Sequence, residues 1–242
     1  MGLLLDAVAW LTDGANWQGA DGVPARLWEH VWLTIVVMAI ACVVAIPIGL
    51  WLGHIGRGGT LAINISNVGR AIPTLAILVL LVLGPTGLSI WSTIIALVLF
   101  AIPPILTNTY VGTRDVSRDA VEAARGMGMS GGQLLKKVEL PLAVPLIMSG
   151  IRLSAVQVVA TATIAALVAG PGLGRIITAG FARQDHPQMV AGAFLVAIVA
   201  LALELTMEWL QRRADPMRAA RRLSRGPLPD ADGRLMEAVT EA

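Results

Sequence analysis

The residues with obvious chemical potential crowd into one charged, glycine-rich stretch, residues 119–145, DAVEAARGMGMSGGQLLKKVELPLAVP. Gly128-Met129-Ser130-Gly131-Gly132 satisfies G-x-S-x-G, the spacing of a nucleophile elbow. An elbow needs a strand feeding the serine into an α/β sheet, and the apolar runs on either side are far too long for strands. Gly126 to Gly131 likewise satisfies G-x-G-x-x-G, without the βαβ unit that gives those glycines their phosphate-binding geometry. Neither Lys136 nor Lys137, the only lysines, follows a glycine, so a Walker A loop is absent and ATP hydrolysis is not expected on this chain. His30, His54 and His186 stand far apart, outside or at the ends of apolar runs, and are expected to be solvated. With Cys42 alone inside an apolar run, no metal site or disulfide framework is expected. Docking is the chemistry that remains. Residues 120–127 read as a short helix in which Ala120, Ala123 and Ala124 leave a bare face for a soluble partner. Residues 133–139 read as a second helical piece that stops before Pro141.

Three ionisable residues fall inside apolar runs, where a charge is costly unless paired or wet: Arg70, Arg152 and Glu204. Counting along their helices at about 1.5 Å per residue places all three at similar depth, roughly 9 to 14 Å from one membrane face. Two readings stand. The three form an ion pair or triad at the inner end of a solute path, or each arginine reaches the headgroups independently. Asn64, Asn67, Asn108, Gln157, Thr161 and Thr163 are the other polar residues placed to line a path or to join helices, and packing is favoured for the asparagines. Pro73, Pro103 and Pro104 interrupt apolar runs and free carbonyls at kinks that a gate can use. Gly49 and Gly53 offer a G-x-x-x-G contact face.

These residues must be carried by membrane helices. Of 242 residues 56% are hydrophobic and 14% charged, and mean hydropathy is +0.73, outside the balance of a soluble domain. Runs long enough to span a bilayer occur at about five places, residues 31–52, 61–83, 90–110, 142–169 and 189–210. Helix is the open-ended form that satisfies its own backbone in lipid, so an all-α integral membrane protein is predicted. Lys and Arg set its orientation. Arg57, Arg114, Arg118, Arg125, Lys136, Lys137 and every arginine from Arg212 onward fall on one side, against Arg26, Arg175 and Arg183 on the other. The basic side is expected in the cytoplasm, with the N-terminus outside and the C-terminus inside. Trp28, Trp32, Trp51, Trp91 and Trp209 near span ends read as an interfacial belt; an aromatic cage for a quaternary ammonium would use the same residue type. Residues 1–30 form an outer-side N-terminal segment whose apolar stretch 3–11 is either an interfacial helix or a disordered arm. Residues 31–210 form the membrane domain, with a cytoplasmic loop at 114–141, and residues 211–242 a basic cytoplasmic tail suited to anionic lipid.

Glu122-Ala123-Ala124, Gly128, Val138 and Leu140-Pro141 stand at the spacing of the EAA motif, and the chain resembles ABC importer permeases, whose ATPase subunit grips that loop. RAIPTLAILVLL (70–81), ALVLFAIPPILTNTYVG (96–112) and KVELPLAVPLIMSGIR (137–152) look like the branch that imports glycine betaine, choline, carnitine and related osmoprotectants. The likeness runs over roughly residues 30–210 and departs at 169–174, AGPGLG, where Pro171 stiffens a loop near the predicted outer mouth. It implies a bacterial inner-membrane permease subunit with a helix at Glu122 that transmits force and performs no chemistry. The implied partners are a separate ABC ATPase that binds the ATP, a second permease copy or related permease, an extracytoplasmic substrate-binding protein and the lipid bilayer. No cofactor on this chain and no nucleic acid are expected. The same machine with another solute, such as methionine, phosphate or an organosulfonate, is the nearest alternative. An ion-coupled secondary transporter would place a carboxylate near the membrane midplane, which Glu204 does not supply. A membrane enzyme would need a nucleophile, metal or acid/base set that the residues above do not form.

Overall fold

The computed structural model describes residues 2–214, apart from 60–62, 65, 67, 70, 71, 85 and 169. Among the described residues every regular element is helical. The α-helices include α1 (Gly2–Thr12), α2 (Val23–Ile55), α3 (Thr74–Leu83), α4 (Ile90–Arg114), α5 (Arg118–Gly126), α6 (Gly131–Leu134), α7 (Leu140–Ala165), α8 (Gly174–Arg183) and α9 (His186–Ala214), with short 3-10 turns at Gly14–Trp17 and Ala166–Val168. Four apolar helices are long enough to cross a bilayer: α2, α4, the continuous stretch Gly131–Val168 that contains α7, and α9. The run at 61–83 is helical at residues 63, 64, 66, 68 and 69 and over the ten residues of α3; residues 61, 62, 65, 67, 70 and 71 lie outside the described residues.

The packing of the first two long helices is written in a four-residue repeat. Along α2 the buried face carries Leu33, Val37, Ala41, Ala45, Gly49 and Gly53, a stripe that tapers from large to absent side chains. Residues four apart share one face of a helix, so this stripe sets how closely α4 approaches along the length of α2. At its narrow end a Cβ on Gly49 would stand 2.7 Å from Thr109 Cβ, and one on Gly53 2.5 Å from Thr113 Cβ. The expected glycine face is therefore a contact within one chain. Leu33, Val37, Leu97, Ala101, Ile105, Val158 and Ala162 join α2, α4 and α7 into the central core. Helix α7 runs antiparallel to α4: Gly112 faces Ala143 and Leu146, Gly150 faces Asn108, and Ser154 Oγ donates 2.7 Å to the Ala101 carbonyl. Over half of the apolar window of α4 is buried in the chain, against 11% of that of α9, which lies at the edge of the bundle.

The prolines divide. Pro103 and Pro104 lie inside α4 as expected, and Pro47 and Pro145 lie inside α2 and α7. Pro73 stands at a break in its run: residues 68 and 69 before it are helical, 72 and 73 are not, and it caps the start of α3. In extended conformation its carbonyl accepts from Ala76 and Ile77 N–H at 2.9 and 3.2 Å, and its missing donor costs nothing at a helix start.

One end of the bundle is closed by the N-terminal part. Residues 3–11 are helical, as one of the two readings required, and α1 packs on α9 with Leu3, Leu4 and Leu5 exposed. Val23, Leu173 and Ile176 bury against Trp10 and Leu195 to fix α8 across this end. Trp28, Trp32, Trp51, Trp91 and Trp209 all expose their rings, which suits a belt and forms no cage.

Candidate functional site: the charged loop and the helix ends it meets

The structure sorts the loop charges by end. Arg26, Arg175 and Arg183 surround one cavity of about 490 Å³ together with Asp21 and Gln188. Arg26 is already committed to Asp21 and Glu29. Arg114, Arg118 and Arg125 surround another, of about 650 Å³, where α2 and α4 end. Gln211, near the end of α9, donates 3.2 Å to the Pro145 carbonyl, which brings Arg212 and Arg213 to this second end as well. The two groups read from sequence as opposite sides thus lie at opposite ends.

At the second end, α5 hangs from the C-terminus of α4 by a short linker, with Asp119 in its first turn and Arg125 in its last, each complementing the helix dipole. Gly128 stops it. With φ +80° it accepts the left-handed conformation, its N–H donates to Arg125 O at 2.9 Å, and Met129 N–H reaches Ala124 O at 3.2 Å, a Schellman closure. Ser130 then caps the next helix: its Oγ accepts from Gln133 N–H while Gln133 Oε1 accepts from Ser130 N–H at 2.9 Å. The serine of the chance G-x-S-x-G match is a capping-box residue.

The expectation that the second helical piece stops before Pro141 is corrected. α6 passes through a π turn, Leu135–Glu139, directly into α7. Leu140 N–H bonds Leu135 O, five residues back, and this widened turn sets the backbone just before Pro141, which has no N–H to give and whose ring crowds the preceding turn. The alanine face is also divided. Ala124 is buried within the chain, Ala120 is half-buried, and Ala123 is exposed beside exposed Glu122 and Gly128. Val138, Leu140 and Pro141 are half-buried at the joint.

Two of the histidines are not simply solvated: one is buried and the other is half-buried and paired. His30 is wholly buried, its Nε2 3.2 Å from the Val159 carbonyl, and α7 and the 170–174 loop enclose it. That loop is pinned to α2: Gly172 N–H donates 2.9 Å to Glu29 Oε2, and with φ +105° a Cβ on Gly172 would strike His30. His54 Nδ1 lies 2.6 Å from Glu139 Oε2, and Glu139 is buried. His186 is exposed. Sequence reading missed the His54–Glu139 pair because its members are 85 residues apart. The available signal was a carboxylate one residue before Leu140-Pro141, at the edge of an apolar run.

Of the residues assigned to the path, Arg152 and Glu204 meet, Nε to Oε1 at 3.6 Å, joining α7 to α9 with both side chains partly open. Arg70 lies outside the described residues, as does Asn67. Asn108 donates 2.8 Å to the Pro104 carbonyl in its own helix and packs against Gly150, the packing role favoured for it. Gln157 and Thr161 are half-buried on α7; Thr161 borders Thr74 and Leu75 at the start of α3. Among the described residues no group of three metal-ligating side chains assembles.

The comparisons with known proteins agree with a helical membrane bundle. The description "binding-protein-dependent transport system inner membrane component" covers residues 45–218. The chain belongs to this family. As a permease it is 36% identical over 192 residues, 79% of this chain and 87% of the relative, to the carnitine transport permease protein OpuCB of Listeria monocytogenes. It is 32% identical to the glycine betaine/carnitine/choline transport system permease protein OpuCB of Bacillus subtilis, over 78% of this chain and 86% of that one. The osmoprotectant import permease protein OsmY of Salmonella typhimurium is 36% identical, over 78% and 80%. In fold, this permease is similar to a chain of the inward-facing MetNI methionine ABC transporter (TM-score 0.69, 22% identity, 79% of this chain and 95% of that). A chain of an amino acid ABC transporter gives a TM-score of 0.64 at 18% identity, over 87% and 98%.

Proposed function

We propose that this permease forms the membrane path of an ATP-driven importer for glycine betaine, choline, carnitine or a related osmoprotectant, and that residues 114–141 couple the path to a separate ATPase. The substrate class is supported by relatives named for carnitine, glycine betaine, choline or osmoprotectant import, matched over more than three quarters of the chain. The single observation that carries the coupling role is α5: an exposed helix bearing Glu122 and Ala123, held away from the bundle by a cavity and closed by an exposed Gly128. Two permeases enclose the path. In the membrane the end bearing Arg114, Arg118 and Arg125 faces the cytoplasm and the end bearing Arg175 and Arg183 receives the extracytoplasmic binding protein. ATP binding draws the two ATPase subunits together, α5 on each permease is carried with them, and the inner gate closes as the outer one opens.

Glu122→Lys and Gly128→Trp test this in the complete complex. Both sites are exposed, and among the described residues no atom beyond its chain neighbours lies within 4 Å of a Cβ added at Gly128. Insertion is expected to persist while ATPase co-purification, hydrolysis coupled to transport, or both are lost. Gly128→Asn, which tolerates positive φ without the bulk of tryptophan, is expected to be milder. Parental values of association, ATP turnover and uptake in both Glu122→Lys and Gly128→Trp would remove the loop from the mechanism.

A further inference from the structure

We propose that His54 and Glu139 form the strut by which movement of the docking helix reaches the end of α2, making them positioning residues for transport that never touch the solute. This rests on the reading of α5 as the docking helix. Glu139 is the last residue of the π turn, the joint at which the loop becomes α7, and its carboxylate is buried. A buried carboxylate is costly without a partner, and a carboxylate accepts, so His54 Nδ1–H donates to Oε2 across 2.6 Å. The other side of the imidazole faces the start of α6, where a Cβ on Gly131 would stand 3.3 Å from Nε2. The ring is therefore lodged between the two pieces of the loop that follow α5.

The rest of the contact between loop and bundle is sparse. A cavity of about 650 Å³ separates α5 from the ends of α2 and α4, with Gly53, His54, Thr113, Glu122 and Glu139 on its walls. The docking helix makes its contacts with α6 and the π turn, and its Ala124 is buried beside the Schellman closure that leads to α6. A displacement of α5 thus passes through the Gly128 turn and α6 to the π turn. From there it runs up α7 and, through Glu139 and His54, sideways into α2. At that level α2 is locked to α4 by Gly53 against Thr113, so a pull on His54 moves the two helices together. A π turn suits such a joint, because its longer hydrogen-bonded ring leaves a local widening that can be taken up or released.

The test uses the assembled permease, ATPase and binding protein in proteoliposomes, with ATP hydrolysis and glycine betaine uptake read on one preparation. In Glu139→Ala and His54→Ala the complex is expected to form and hydrolyse ATP while solute imported per ATP falls by about tenfold, a coupling within the range for residues in direct contact. The double variant is expected to be no worse than the worse single, and Glu139→Gln, which still offers an amide oxygen to Nδ1–H, to recover part of the loss. Unchanged uptake per ATP overturns the strut, as does a loss of complex yield, hydrolysis and uptake in equal proportion. Where Glu139→Ala fails to insert, His54→Ala, altered at a half-buried ring, decides the matter by the same ratio. Loss of coupling in Glu122→Lys and Gly128→Trp together with full coupling in His54→Ala defeats the strut alone; parental behaviour of the loop variants defeats the docking reading beneath it.

Discussion

Replacing Gly53 by alanine adds one methyl group, and the structure dictates where it goes. The new Cβ would stand 2.5 Å from Thr113 Cβ, 2.9 Å from its Cγ2 and 3.1 Å from the Tyr110 carbonyl oxygen. Carbon atoms rest at about 3.5–4.0 Å, so α2 must shift by roughly 1 Å at this level. The obstruction is the Cβ of a β-branched residue and a backbone carbonyl of α4, neither of which a rotamer change can move. Overpacking of this kind costs about 1–3 kcal/mol, and the better helix propensity of alanine returns up to about 1 kcal/mol. For a chain of this size a net loss of about 1–2 kcal/mol lowers the melting midpoint by roughly 2–8 °C. Gly132→Ala is the matched control: the same methyl group on an exposed helical glycine with nothing within 4 Å is expected to be neutral or slightly stabilising. Melting of both variants in one detergent gives the comparison. A Gly53→Ala protein as stable as Gly132→Ala would mean that α2 and α4 do not meet along the tapering stripe.

Cysteine labels at Ser130 and Thr86 are expected to react from the cytoplasm and from outside, respectively, in sealed cells; reaction of Ser130 from the exterior would invert the orientation. Arg152→Gln and Glu204→Gln are expected to be less than additive in stability, with a coupling of about 0.5–3 kcal/mol toward the low end because both side chains are partly open; simple addition would mean that the 3.6 Å contact contributes nothing.

The long helices were legible because length and apolarity alone determine them: α2, α4 and α9 each contain an expected run, and α7 covers the run at 142–169 up to Ala165. Their ends were less so. α2 starts at Val23 with Pro24 in its first turn and finishes at left-handed Gly56, well beyond the apolar residues, because caps rather than hydropathy end a helix. Depth counting set Arg70, Arg152 and Glu204 at one level and left pairing and independent snorkelling both open; the structure joins Arg152 to Glu204. Helix α5 was legible from its alanines and Gly128, but the union of the following piece, α6, with the membrane span was not. Pro141 signals a stop unless a widened turn precedes it, and that turn leaves no mark in the periodicity. His54 and Glu139 were invisible for a related reason. A polar residue at the end of an apolar run reads as solvated until the topology brings a partner from elsewhere.

The most direct measurement is uptake of labelled glycine betaine, choline or carnitine into proteoliposomes holding this permease with its ATPase, with and without ATP and the binding protein. Accumulation of one of these solutes is expected only when ATP, ATPase and binding protein are all present, and a preset ion gradient is expected to have no effect without ATP. Gradient-driven uptake by the permease alone would contradict an ATP-coupled importer.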